Sequence, residues 1–345
     1  MAMHDDRFLS GSGFSFSGTV PLALTVAGSD SGGGAGIQAD LKTFTAFGVF
    51  GTSAITAITA QNTLGVTQVM ALEPSLVEAQ IDAVLEDIGT DAAKTGMLAS
   101  KAIVEAVALS LNKHGVTRLV VDPVMVAASG HRLLDADAVE ALKEHLFPLA
   151  LVITPNLPEA AALTQQPIDS LAAMVNAARN LVQTGCRYVV IKGGHLPMEV
   201  AESDGELSRA AGMEGPVSVL EIEAPPPPVY PWGRPETAST GRVLSGRFAI
   251  DVIYDGQKVT LLKSPHIQTR NTHGTGCTFS AAIAAGLALG LEPIKAIVEA
   301  KRFVTQAVRY SLALGRGHGP TNHLLRFSPA AQATGPGGWA HEAVR

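Results

Sequence analysis

Apolar residues along this chain fall into two alternating patterns, short unbroken runs and longer stretches with apolar positions three and four apart. A short apolar run predicts a buried strand over Leu22–Ala27, and further short strands are predicted over Ala92–Thr95, Arg118–Val121, Leu151–Thr154 and Tyr188–Ile191. Helical spacing predicts helices over Ile37–Phe47, from Ser75 with Val77, Ile81, Val84, Leu85 and Ile88 inward, over Ala102–Leu111, up to Phe147, from Pro158, and over Ala172–Gln183. Ser75 and Glu78 form a capping-box pattern at the start of the second of these, and Asn156 and Glu159 do so at the helix opened by Pro158. The segment Gly51–Gln61 is rich in Ile, Thr and Ala and reads as one strand ending in a carboxamide. Regular alternation of strand and helix predicts right-handed crossovers and a mostly parallel sheet flanked by helices, an α/β fold.

The alternation breaks between Pro197 and Arg247, a Pro/Gly-rich stretch that includes Pro225–Pro228 and reads as a surface insertion. Order returns with Phe248–Tyr254 and Lys258–Lys263 joined at Asp255-Gly256, the strongest hairpin signature of the chain. A small-residue helix Phe279–Leu289 and a helix opened by Pro293, with Ile294, Ile297, Val298, Val304 and Val308 on one face, complete the pattern. The expected organisation is one domain over residues 21–327 between a loose N-terminal arm, 1–20, and a loose tail, 328–345.

Composition narrows the partners. Of 345 residues 46% are hydrophobic and 5% aromatic, which suits parallel strands between close-packed helices. A net charge of -6 with scattered Lys and Arg argues against nucleic acid and for a small molecule. Two cysteines, Cys186 and Cys277, make a disulfide framework an unsuitable reading and fit a reducing compartment. Residues 1–18 lack the basic-then-apolar pattern of a signal peptide, and no apolar run reaches the roughly 20 residues of a membrane span, so a cytoplasmic protein with no membrane partner is expected.

Polar residues gather where the predicted strands end, the edge at which open α/β sheets bind ligands. The first strand runs into Gly28–Gly36, whose glycines either cradle an anion or only permit a tight turn; the spacing fits neither Walker A nor the dinucleotide fingerprint. Gln61 suits an aminopyrimidine edge, since an amide accepts from an exocyclic amine while donating to a ring nitrogen, and equally suits a backbone partner. Met97 reads as core or as a pocket wall, Asp122 as a Mg²⁺ or water ligand or a turn cap, and the segment 126–131 as a candidate lid. Lys192, before Gly193-Gly194-His195, can bring a cation to a phosphate or stay solvated. Asn271-Thr272-His273-Gly274-Thr275-Gly276-Cys277-Thr278 combines two glycines with a helix start, a ready anion site, and sets Cys277 in the first turn, where a lowered thiol pKa is expected.

Taken in order, Ala27–Lys42, Thr59–Thr63, Lys94–Leu98, Asp122–Met125, Thr154–Ala160, Lys192–His195 and Asn271–Thr278 resemble the hydroxymethylpyrimidine and phosphomethylpyrimidine kinases of thiamine biosynthesis, within the ribokinase-like three-layer fold. The resemblance implies that ATP and Mg²⁺ phosphorylate 4-amino-5-hydroxymethyl-2-methylpyrimidine and then its monophosphate, and a homodimer is expected. It further implies that Gln61 and Asp40 hold the pyrimidine, with Gly28 and Met97 lining the pocket. Asp122, Asn156 and Glu159 would serve Mg²⁺ and its waters, with Asp122 and Glu159 on the metal side. Lys192 would neutralise phosphate, and Gly274, Thr275, Gly276 and Cys277 would form the anion hole, with Cys277 where sugar kinases of the superfamily carry an aspartate base. Two alternatives stand beside this: a pyridoxal or pyridoxine kinase, and a non-catalytic pyrimidine-binding regulator.

Overall fold

The structure is a computed structural model and describes residues 19–126, 133–194, 198–199, 204–213, 217–223 and 239–325. The chain begins with β1 (Leu22–Ala27), α1 (Gly36–Ala46) and β2 (Phe50–Ile55), then forms a two-stranded arm from β3 (Ala57–Asn62) and β4 (Gly65–Ala71). It continues through α2 (Pro74–Asp87), β5 (Ala92–Thr95), α3 (Lys101–Lys113), β6 (Leu119–Val121), α4 (Ala136–Ala141), β7 (Val152–Ile153), α5 (Leu157–Thr164), α6 (Leu171–Leu181) and β8 (Tyr188–Ile191). Short elements β9 (Met198–Glu199), α7 (Asp204–Ala210) and β10 (Ser218–Glu221) precede the long hairpin β11 (Arg242–Tyr254) and β12 (Val259–Gln268), and α8 (Thr275–Ala288) and α9 (Pro293–Arg309) close the fold.

The main sheet has the order β10-β12-β11-β8-β7-β6-β5-β1-β2, parallel from β8 to β2, with β11 antiparallel to both β8 and β12. Strand alternation separates two cores. Leu24, Val26, Leu119, Val121, Ile153, Val189 and Ile191 face one side, against α2, α3, α4 and α6. Ala23, Val120, Val152 and Val190 face the other, against α1, α8 and α9. This is the ribokinase-like three-layer arrangement, and buried runs in its central strands are what a sheet covered on both faces requires. Helix α8 is buried at every position from Thr278 to Ala288, so its small residues let it lie close to the sheet between α1 and α9.

The expected hairpin is present, with β11 starting at Arg242 and β12 running to Gln268. Three local expectations change. The segment Gly51–Gln61 is two strands: β2 pairs with β1 in the main sheet, the chain turns at Thr56, and β3 leaves to pair with β4. Gln61 therefore sits on the arm. Ser75 does not cap α2; Pro74 occupies the first turn and Glu73 is the N-cap, so no capping box forms. Within 197–247 the described residues form β9, α7, β10 and the start of β11, and Leu207 and Val217 join the core. Residues 1–18 of the expected arm, the whole expected tail 328–345, His195 and residues 127–131 of the candidate lid lie outside the described residues.

Candidate active site

Every parallel strand from β1 to β8 ends at the same edge, and the connections there surround a cleft of about 710 Å³. Gly28, Gln61, Met97, Asp122, Asn156, Glu159, Lys192 and Gly274–Cys277 all line it, so the sequence expectation converges on one place with a single exception. The exception is Asp40. It is fully buried on α1, and its Oδ2 accepts from Thr25 Oγ1 at 2.6 Å and Lys94 Nζ at 2.8 Å. With no exposed surface, Asp40 is placed beneath the cleft as the counter-ion of Lys94, which is also fully buried and does line the cleft. Burial works against the lysine charge, yet the carboxylates of Asp40 and, more weakly, Asp122 hold the ammonium above its ordinary range.

The phosphate side is built from strand ends. Asp122 follows β6 and accepts from Lys192 Nζ at 2.9 Å and Thr154 Oγ1 at 3.0 Å on Oδ1, while Ser280 Oγ lies 3.3 Å from Oδ2. Burial pushes its carboxyl up, but Lys192 and Lys94 more than offset that and keep it below the ordinary range. Lys192, one residue beyond β8, is held protonated against burial by Asp122 and Glu159. Asn156 and Glu159 form the expected capping box of α5, with Glu159 N–H donating to Asn156 Oδ1 at 2.9 Å and Asn156 N–H to Glu159 Oε2 at 2.8 Å. Burial, with Asp122 adding repulsion, lifts the Glu159 carboxyl to about 7 despite Lys192. Two buried carboxylates facing one near ammonium are an oxygen-donor set that suits a hard divalent cation held partly through water.

The glycine cradle lies opposite. Gly274 is the N-cap of α8 at φ 80°, and a Cβ there would run into the Gly34 carbonyl, so only glycine lets this loop close against the loop after β1. A Cβ on Gly276 would lie 3.4 Å from Lys192 Nζ and 3.6 Å from Asp122 Oδ2, which sets the backbone of the first helical turn directly across from that ion pair. Thr275 spends its hydroxyl on the Thr272 carbonyl at 2.6 Å and offers its backbone. Cys277 is half-buried, and its thiol is not activated as the sequence position suggested: burial pushes it up to about 11 against the pull of Lys94, with Asp40 and Asp122 adding to the rise. Cys186 is a buried free thiol, and the two cysteines are unbridged.

Further groups complete the site without having been singled out in the sequence. Lys301 of α9 lines the cleft and donates to Asp251 Oδ2 at 2.6 Å, while Asp251 Oδ1 accepts from Gly193 N–H at 2.9 Å and so fixes the loop behind Lys192. Asp30 and His273 bridge the two glycine loops at 2.8 Å. The one signal for Lys94 was a lysine inside an otherwise buried strand run, since a charge there needs a partner.

A buried cation, an acidic cluster and helix N–H groups around one cleft, at the strand ends of a ribokinase-like sheet, define a small-molecule kinase. The sequence profile of the phosphomethylpyrimidine kinase family matches residues 30–212 and 239–322, and the chain belongs to that family. It is 44% identical over 302 residues to the hydroxymethylpyrimidine/phosphomethylpyrimidine kinase of Bacillus subtilis, covering 88% of this chain and 94% of that protein. It is 45% identical over 302 residues to a thiamine biosynthesis bifunctional protein of Geobacter sulfurreducens, covering 88% of this chain and about half, 52%, of that longer protein. In three dimensions it is similar to Bacillus subtilis pyridoxal kinase in an ADP complex, with a TM-score of 0.71, 37% identity, and coverage of 89% of this chain and 98% of that one. Residues 213–238 lie between the two matched blocks. No helix among the described residues is long and apolar enough to cross a membrane.

Proposed function

We propose that this kinase transfers the γ-phosphoryl group of ATP to the hydroxymethyl oxygen of 4-amino-5-hydroxymethyl-2-methylpyrimidine, and a second one to the resulting monophosphate. The observation that carries the reading is the single cleft in which an amide able to read an aminopyrimidine edge, Gln61, faces the α8 cradle and the Asp122–Lys192–Glu159 cluster. Gln61 orients the ring, and Gly28 and Met97, joined by the Gly28 N–H to Met97 carbonyl hydrogen bond at 3.2 Å, wall it. The alcohol lies over Cys277. The N–H groups at the start of α8 receive the transferring phosphoryl group, whose loose transition state needs positioning and charge stabilisation more than a strong base. Lys192 and Lys94 add positive charge, and Asp40 keeps Lys94 in place. The Asp122, Glu159 and Asn156 oxygens fit Mg²⁺, which when bound neutralises phosphate charge.

Pyridoxal is the second substrate to weigh, because a pyridoxal kinase is among the structures this chain resembles. The test is a substrate panel of the aminopyrimidine alcohol, its monophosphate and pyridoxal with product identification. The expected outcome is conversion of the first to the diphosphate with the monophosphate as intermediate; catalytic efficiency on pyridoxal equal to or above that on the pyrimidine would overturn the assignment.

A further inference from the structure

Asp30, in the loop after β1, is 1% exposed, and four donors converge on its carboxylate. The Gly32 N–H reaches Oδ1 at 2.8 Å, the Gly34 and Ala35 N–H groups reach Oδ2 at 3.1 and 2.8 Å, and His273 Nε2 lies 2.8 Å from Oδ2. Burial pushes this carboxyl up, but the hydrogen bonds from His273 and the backbone hold it below its ordinary value, so it is ionised and can only accept. Nε2 of His273 therefore carries a proton.

The same Nε2 is 3.4 Å from one end of the Gln61 amide, and Thr59 Oγ1 is 3.3 Å from the other end. Thr59 Oγ1 is also 2.7 Å from the Ser29 carbonyl, an acceptor, so its single proton is committed there and it accepts from Gln61. The two ends of an amide have the same shape and are told apart by their partners. With the amide nitrogen toward His273, two donors would face each other. With the oxygen toward His273 and the NH₂ toward Thr59, Thr59 accepts from the amide, and the Nε2–H held by Asp30 at 2.8 Å is shared with the amide oxygen at 3.4 Å as the long arm of a bifurcated bond.

We propose that Asp30 and His273 are positioning residues for substrate selectivity: the Asp30 carboxylate fixes the Nε2–H tautomer of His273, and that proton, together with Thr59, sets the Gln61 amide. The second lone pair of the amide oxygen and the second N–H then face the cleft as an acceptor and a donor in fixed order. That order matches an exocyclic amine beside a ring nitrogen, and pyridoxal has no such amine. His273 directly precedes Gly274, so the residue that orients the reading amide also opens the phosphate cradle. The proposal rests on the reading that Gln61 recognises the aminopyrimidine.

The experiment measures dissociation constants of the aminopyrimidine alcohol and of pyridoxal by calorimetry, with KM for ATP and the melting temperature as controls, in Gln61→Ala, His273→Leu, His273→Gln, Asp30→Asn and the His273→Leu/Gln61→Ala double variant. His273→Leu and Asp30→Asn are each expected to lower the preference for the pyrimidine by about tenfold, the scale of one lost orienting hydrogen bond. His273→Gln, which restores an N–H at similar reach, should recover most of it. In the double variant, loss of His273 should add nothing to loss of Gln61. If Gln61→Ala lowers the preference while His273→Leu and Asp30→Asn leave it intact, the positioning role is overturned and the pyrimidine reading survives. If Gln61→Ala leaves it intact, the reading falls and the proposal with it. Asp30→Asn keeps the test available should His273→Leu not fold.

Discussion

Cys277 shows how far a single residue's environment can depart from its position in sequence. A thiol in the first turn of a helix ordinarily acidifies, and Lys94 pulls in the same direction. Burial beside the two carboxylates Asp40 and Asp122 wins, and the thiol rises to about 11. At pH 7.5 roughly three in ten thousand molecules would then carry the thiolate. Iodoacetamide should accordingly alkylate Cys277 slowly at neutral pH, with a rate that climbs tenfold per pH unit up to about 11; a plateau near pH 7 would show the thiolate already formed. Because a loose phosphoryl transfer asks little of its base, Cys277→Ala should lower kcat by about a hundredfold, the lower end of the general-base range. Single-turnover rates that match the parent would reduce the thiol to a spacer. Lys94 and Asp40 form a second residue-scale test. With both side chains 0% exposed, removing one charge strands the other. Asp40→Asn should cost about 3–5 kcal/mol in urea denaturation, whereas Asp40→Leu combined with Lys94→Met should recover most of that stability while kinase activity stays lost.

At the scale of elements, legibility followed burial and local chemistry. The strands β1, β5 and β8 match their expected limits residue for residue, because each is a short segment bounded by Pro, Gly or charged residues, Pro21 and Gly28 for β1, Asp91 and Gly96 for β5, Arg187 and Lys192 for β8. The start of α5 was equally plain, since Asn156 and Glu159 cap it through their own side chains. The division of Gly51–Gln61 was not, because the turn at Thr56 has no glycine or proline to mark it and is held by distant groups, its N–H on the Ala27 carbonyl and its Oγ1 on the Met97 carbonyl. Ser75 failed as a cap because Pro74 fixes where α2 begins. Asp40 was legible as a polar residue of the first helix, but its partner is 54 positions away on β5, and only folding shows that the ion pair closes under the site. The junction of α8 with the loop after β1 gives the element-scale prediction. Gly274→Ala places a methyl group against the Gly34 carbonyl at a backbone conformation with φ 80°. It should destabilise the protein by about 1–3 kcal/mol or more and raise KM for ATP, measured by denaturation and steady-state kinetics. An unchanged KM would mean that the cradle tolerates a shifted N-cap.

Across the whole molecule, a segment after α9 ties the separate parts of the site to one another. His318 N–H donates to the Thr63 carbonyl in the turn of the β3–β4 arm, Thr321 N–H to the His273 carbonyl beside the cradle, and Asn322 N–H to the Ala307 carbonyl of α9. His323 ends this strap, 8% exposed, with Nε2 2.8 Å from Thr278 Oγ1 and 3.3 Å from Thr321 Oγ1. Burial lowers its pKa to about 4, with Lys42 and His273 adding in the same direction, so the folded protein holds it neutral where the unfolded chain, at 6.5, would already bind a proton. A histidine depressed in this way contributes stability that is fully present above pH 6.5 and is lost as pH falls from 6.5 through about 4. The shift corresponds to about 3 kcal/mol across that window, an upper figure for a group that water can reach once the strap loosens. Urea midpoints measured from pH 8 to pH 4 should fall in this window, and in His323→Gln, which keeps an amide donor and acceptor near Thr278 without a titrating group, the fall should be shallower by that amount. A variant curve parallel to the parent's would place the acid sensitivity elsewhere. Because the strap holds both the arm that carries Gln61 and the loop that carries His273, selectivity between the pyrimidine and pyridoxal should decline in the parent only as pH falls through about 4, where the folded protein's His323 gains its proton, and persist further into acid in His323→Gln.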